Sequence, residues 1–137
     1  MSGLQAFLLN EYVVGAGATA EVEIAPFPFP FVIKALSEKE NKEIRKSCQK
    51  ISFDKRTKQK LTETDNDLYA GRLIVACCVE PNFNDAELQK KYGVMGAENL
   101  IDMLLTPGQY AALTFAVMEI NGLREDINEL KEEAKNS

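Results

Sequence analysis

The chain has 137 residues, 45% of them apolar and 27% charged, with a formal net charge of −5 and neither histidine nor tryptophan. That length is one domain's worth, enough to bury roughly two thirds of the unfolded surface without disulfide or metal staples. No stretch approaches the ~18 to 20 uncharged apolar residues that span a bilayer, and the N-terminal MSGLQAFLLNEYVV lacks the basic flank and small-residue cleavage site of a secretory leader, so a soluble cytoplasmic product without membrane contact is expected. The charge is unevenly spread. Arg45, Lys46, Lys50, Lys55, Arg56, Lys58 and Lys60 face a single acid, Asp54, so this segment carries +6 and the remainder −11. Such a split permits head-to-tail attraction between identical subunits. Cys48, Cys77 and Cys78 are odd in number, and two are adjacent in a segment read as a buried helix, which predicts reduced thiols rather than a disulfide framework.

Residues 1–19 open on an apolar patch, Leu4, Phe7, Leu8 and Leu9, followed by VVGAGATAE, which has no period. They read as a docking segment and a flexible link. Residues 20–137 then form a single helical domain. Alternation from Glu21 to Ala25 and from Phe31 to Leu36 predicts a hairpin over 20–36, its turn bounded by Pro26, Pro28 and Pro30, which lack the backbone donors of a continuous central strand. Phe27, Phe29 and Phe31 would cover a core edge. A proline-rich ligand is the competing reading of this run, but no PxxP spacing is present. Ser37 with Glu40 makes a capping box for a polar helix to about Gln49, with Ile44 and Cys48 inward.

The segment 50–64 is too polar for core and lacks helical period, so it reads as a basic solvated loop or an exposed hairpin, with Lys55, Arg56 and Lys58 as a subunit or anion contact. A nucleic-acid site would need stacking aromatics, and only Phe53 is present. Asp65 or Asn66 caps the next helix, in which Leu68, Tyr69, Leu73, Ile74, Val75, Cys77 and Val79 predict the central buried rod, ending before Pro81. Asn84 or Asp85 starts the short AELQKKY helix, closed by Gly93. Gly96 separates it from the crowded apolar run Ala97 to Leu105.

The C-terminal third carries the most developed helical surface. Thr106 caps a helix that begins at Pro107 and stops at Gly122, because proline needs no amide donor in the first turn and glycine accepts the left-handed closing conformation. Tyr110, Leu113, Val117 and Ile120 fall on one face, while Phe115 and Met118 extend apolar character around most of the cylinder. Such a helix is either buried or has a partner. After Gly122, Leu123, Ile127, Leu130 and Ala134 recur at steps of four, three and four among charged residues, a narrow seam for one helical neighbour. The expected fold is mainly α (α+β), five to six helices with a small N-terminal β-hairpin and a helical core with C-terminal helix over 65–135.

Chemistry is poorly supplied. Without histidine the commonest general base and metal ligand is missing, and three cysteines are too few for a thiolate zinc site. No phosphate-cradling or nucleophile-elbow motif occurs, and the acids of the last helix read as a solvated face. No enzyme, cofactor or metal is expected; association is.

The segments Tyr92 to Leu100 (YGVMGAENL), Leu105 to Tyr110 (LTPGQY), Glu119 to Gly122 (EING), Asp126 to Leu130 and Glu133 to Asn136 together resemble the XkdN-like tail assembly chaperones of tailed phages and defective prophages. The resemblance extends to Pro81–Gln89 and to Leu4–Leu8, and is weakest from Glu11 to Leu61, where the Pro-Phe run and the basic segment have no counterpart in the pattern. It rests on order and spacing rather than on one diagnostic motif. It implies a protein made during tail morphogenesis, acting in the bacterial cytoplasm and absent from the finished particle. Its partner would be the tape measure protein, kept soluble and extended until tail tube protein polymerises around it. Tyr110, Leu113, Val117, Ile120, Leu123, Ile127 and Leu130 are then candidate contacts to that client or to a neighbouring subunit, and equally candidates for the monomer's own core. The resemblance also implies a longer form made by ribosomal frameshifting; Ala134-Lys135-Asn136 is codable as GCA AAA AAC, which contains a slip heptamer. The competing readings are a structural tail or baseplate subunit retained in the particle and a nucleic-acid-binding regulator using the basic segment.

Overall fold

A computed structural model describes residues 2–9 and 15–123. Among them are six helices and five strands, the strands arranged in two small antiparallel sheets. The fold is therefore α+β, with more β-structure than the sequence suggested.

The N-terminal helix α1 (Gly3–Leu9) buries none of its residues. Strand β1 (Thr19–Val22) pairs antiparallel with β2 (Phe31–Lys34), Thr19 opposite Lys34 and Val22 opposite Phe31. The hairpin thus forms, but its first strand starts two residues earlier than the alternation indicated and ends before Glu23. Ile24 leaves the ladder to bury its side chain, and its carbonyl accepts the Phe27 N–H at 2.9 Å. The prolines occupy the connection, where their missing donors cost no ladder bond. Phe31 stacks on Phe29 and touches Phe27 and Phe83, so the aromatic run caps one edge of the core, with Phe29 itself exposed.

Helix α2 (Glu38–Ser47) carries the reciprocal Ser37–Glu40 box. Strands β3 (Gln49–Phe53) and β4 (Lys60–Thr64) pair with each other alone. Of the two readings of 50–64, solvated loop or exposed hairpin, the exposed hairpin is the one that forms. Ile51, Phe53, Thr62 and Thr64 are β-branched or aromatic residues that favour extended pairing.

Helix α3 (Asn66–Cys77) starts at Asp65, whose carboxylate accepts the Leu68 N–H, and buries Leu73, Ile74 and Cys77. The central rod was expected to run through Val79; it stops at Cys77, and Cys78–Glu80 becomes strand β5, pairing with β2 on the side opposite β1. Val79 is 44% exposed rather than core. Pro81 disfavours a helical residue before it, and the free edge of β2 offers ladder bonds in exchange. The two adjacent cysteines therefore straddle a helix–strand junction instead of sharing a helix.

Helices α4 (Ala86–Lys91), α5 (Ala97–Leu104) and α6 (Pro107–Ile120) follow. Gly96, with φ at +96°, introduces α5 in a conformation that a side chain would strain. At the start of α6, Thr106 Oγ1 accepts the Gln109 N–H and Gln109 Oε1 accepts the Thr106 N–H, while Gly122 closes the other end at φ +74°. The core lies where the three-stranded sheet meets α3, α5 and α6: Phe31 and Ile33 from β2, Leu73 and Ile74, Phe83, Leu100 and Ile101, Leu113 and Val117.

Candidate interaction surfaces

The face of α6 that the sequence singled out divides in the structure. Leu113 and Val117 have no exposed surface and sit against the sheet and α3. A side chain without exposed area gives a partner nothing to touch while the fold is intact. Tyr110, Ile120 and Leu123 are half-buried at the margin of the same cluster, and Phe115 on another side of the helix is 38% exposed. Ile127 and Leu130 lie outside the described residues.

The end of α6 is fixed by a residue to which the sequence gave no role. Asn121 Oδ1 accepts the Leu36 N–H at 2.8 Å, and its Nδ2 donates to the Val117 carbonyl at 2.8 Å and to Cys77 Sγ at 3.4 Å. One amide thereby ties α6 to the end of the first sheet and to α3. Its position after an apolar helix looks like ordinary helix termination, so only the long-range partner reveals it.

Between α3 and α5 lies a cleft of about 430 Å³ lined by Asp65, Asp67, Glu98 and Asp102, with Leu68, Gly71, Ile101 and Tyr110 beneath. Burial pushes the Tyr110 phenol above its ordinary value, and the charges of Asp102, Asp67 and Glu98 push the same way. Two of the four acids are engaged: Asp65 faces Lys50 at 3.4 Å and Glu98 faces Arg72 at 3.3 Å. Arg72 also donates to the Ser47 carbonyl, bracing α3 against the end of α2. The Leu68 N–H holds the Asp65 carboxyl below its usual range, assisted by Lys50.

At the far end of the β3–β4 hairpin, Lys55, Arg56 and Lys58 are exposed together. Asp54 organises this turn, its Oδ1 accepting the N–H of Arg56 at 2.8 Å and of Thr57 at 3.4 Å, while Lys58 takes φ +60°. These backbone bonds lower the Asp54 pKa. Sequence reasoning placed the basic residues and noted Phe53 only as a lone aromatic, and it gave no role to Ile51; the side chains of Ile51 and Phe53 are 60% and 67% exposed. Their i, i+2 spacing was the available signal. Exposed apolar side chains recur in α1, at Leu4, Phe7, Leu8 and Leu9, and singly at Met95 and Met103.

The thiols are poorly placed for reactivity. Cys48, Cys77 and Cys78 are free and buried, and burial raises both Cys77 and Cys78, the latter to about 12. Among the described residues no three histidine, cysteine or acidic side chains are grouped to hold a metal ion, and no helix is long and apolar enough to cross a membrane.

The arrangement is that of a small folding module whose developed features are surfaces, and comparison with known proteins places it accordingly. Residues 4–135 match the family described as phage XkdN-like tail assembly chaperone protein, and the chain belongs to that family. The chain is 32% identical to the uncharacterized protein YqbN of Bacillus subtilis (strain 168) over 78 residues, 56% of this chain and 52% of that one. It is 27% identical to the phage-like element PBSX protein XkdN of the same organism, again over 78 residues, 56% of this chain and 53% of XkdN. The matched stretch thus spans about half the length of these relatives. The crystal structure of the protein YqbN superposes with a TM-score of 0.70 at 23% identity, covering 89% of this chain and 98% of that one, and so shares the fold.

Proposed function

We propose that this tail assembly chaperone binds the tape measure protein in the bacterial cytoplasm, keeps it soluble and extended while the tail tube assembles, and is absent from the finished particle. The family match over residues 4–135 carries the reading. Physical chemistry makes it reasonable. Apolar helical surface left in water is unfavourable by ~25 cal/mol per Å², so a long client with apolar stretches aggregates unless covered. Many weakly bound copies suit that task better than one tight clamp, because tube subunits must later displace them.

The client would lie along the margin of α6 where Tyr110, Ile120 and Leu123 retain exposed surface, continuing onto Ile127 and Leu130, while Leu113 and Val117 hold that margin in place from beneath. Helix α1, with Leu4, Leu8 and Leu9 between 61% and 72% exposed, is the docking segment at the other end of the chain. Co-expression with the neighbouring tape measure gene tests the function: the client becomes soluble in the presence of this chain and not without it, and mass spectrometry of purified particles finds the client but not the chaperone. Stoichiometric recovery of this chain in particles would instead make it a structural subunit. Ile127→Asp tests the site. A stable fold that no longer co-purifies with the client supports contact there, whereas loss of thermal stability in the monomer assigns Ile127 to the core. The frameshifted longer form is tested by reading codons 134–136 of the gene.

A further inference from the structure

Asn121-Gly122 is the one Asn-Gly step in the chain. Asparagine is chemically labile, and most so before glycine, because no side chain shields the backbone nitrogen that follows. That nitrogen can attack the asparagine side-chain carbon and close a succinimide ring with loss of ammonia. Gly122 is exposed, and a side chain there would meet no atom within 4 Å, so the step lies open to water.

Hydrogen bonds nevertheless hold both reacting groups away from each other. The nucleophile, the Gly122 N–H, donates to the Glu119 carbonyl at 3.0 Å. The electrophile is the Asn121 carboxamide. Its oxygen accepts the Leu36 N–H at 2.8 Å, and its nitrogen donates to the Val117 carbonyl at 2.8 Å and to Cys77 Sγ at 3.4 Å. The side chain is thus folded back along α6, with the backbone at φ −87° and ψ 2°. Ring closure needs it to leave all three partners and swing forward onto the following peptide.

We propose that Asn121-Gly122 is a deamidation site gated by the fold, closed while Asn121 bridges α6, Leu36 and Cys77, and reactive when the end of α6 opens. In the opened state the Gly122 nitrogen gives its proton to water, its lone pair forms a bond to Asn121 Cγ, and the carboxamide nitrogen leaves as ammonia. Water then adds to the succinimide. Breaking the ring's Cγ–N bond yields aspartate and breaking its backbone C–N bond yields isoaspartate, so the net change is exchange of the amide nitrogen for a water oxygen. Neither product rebuilds the bridge. One carboxylate oxygen still accepts the Leu36 N–H, but the other faces the Val117 carbonyl where the amide donated, acceptor against acceptor. A negative charge at the C-terminal end of a helix also opposes the macrodipole. Isoaspartate adds a methylene to the backbone as well. A transient opening of the α6 end is thereby made permanent, and the inference is independent of the tape measure reading.

Mass spectrometry of the full chain, digested after incubation at mildly alkaline pH, tests it, with isoaspartyl methylation as a second readout. In urea, Asn121 is expected to lose ammonia faster than every other asparagine. In the native chain the same site should react at least about tenfold more slowly, because only the opened fraction is reactive. Cys77→Ala removes one bond of the bridge and should raise the native rate without changing the rate in urea. Leu100→Ala, which empties a buried site on α5 and leaves the bridge intact, should raise it less. Asn121→Asp, made directly, should lose hydrogen-exchange protection at the Leu36 N–H while helical circular dichroism is retained. Equal rates in the native chain and in urea overturn the proposal, as does an Asn121 no faster than the other asparagines in urea. So does an acceleration in Cys77→Ala no greater than that in Leu100→Ala, which routes the reaction through global unfolding, or an Asn121→Asp chain that protects Leu36 as the parent does.

Discussion

Helix α6 and the β3–β4 hairpin both place apolar side chains at regular spacing, yet Leu113 and Val117 have no exposed surface while Ile51 and Phe53 keep more than half of theirs. Periodicity states that a side chain will be covered by something; it does not say whether the cover belongs to the same chain. For α6 the cover is internal, because the helix lies between the sheet and α3 and its capping residue Asn121 is tied to Leu36 just beyond β2 and to Cys77 of α3. The hairpin projects from the end of α2 with no described element above it. The same physical drive is satisfied in one region and left open in the other.

The sharpest way to break this contrast is to truncate both regions and compare them by urea denaturation. Leu113→Ala, which empties a fully buried site, should lower stability by about 2–5 kcal/mol. Asn121→Ala should cost about 1–3 kcal/mol through the stranded Leu36 N–H, with the largest change in hydrogen exchange at Leu36. The buried thiols sharpen the contrast through pH. Because the Cys78 thiol is raised from 9.0 to about 12 in the fold, its contribution is complete below pH 9.0 and declines as pH rises from there toward 12, where the unfolded chain ionises first. Urea midpoints should therefore fall across that window and fall less in Cys78→Ala, and a thiol reagent at neutral pH should label none of the three cysteines without unfolding. Thr106→Ala removes one side-chain bond at the α6 cap and should cost about 1 kcal/mol. Ile51→Ser at low protein concentration should shift stability by less than about 0.5 kcal/mol; a loss comparable to that of Leu113→Ala would show that the hairpin is covered within the monomer.

Legibility followed locality. The capping box at Ser37, the Thr106 cap and the glycine stops at Gly93 and Gly122 stand where the sequence put them, and of Asn84 and Asp85 it is Asp85 that starts α4, because each involves residues within four positions of one another. Strand β5 was missed because a three-residue strand at the end of an apolar helix has no pattern of its own; only the vacant edge of β2 makes it a strand. The candidate contacts were legible as apolar positions and not as surface, since Leu113 and Tyr110 differ in exposure through what lies beside α6 and not through anything in their spacing. The acidic cleft draws its four carboxylates from the α3 and α5 regions, more than thirty residues apart in sequence, so no local window contains it.

By itself the sequence determined the helix caps at Ser37 and Thr106, the lack of histidine chemistry, the charge division and the resemblance that the family match made firm. These depend on residue identity and short-range backbone bonding, which are present in the chain before it folds. Only the tertiary structure decided which apolar residues are core, that the basic segment is the hairpin rather than the loop, and that Asn121 joins three elements. Those outcomes depend on which surfaces are left over once the sheet, α3 and α6 have packed, and that remainder exists only in the folded molecule.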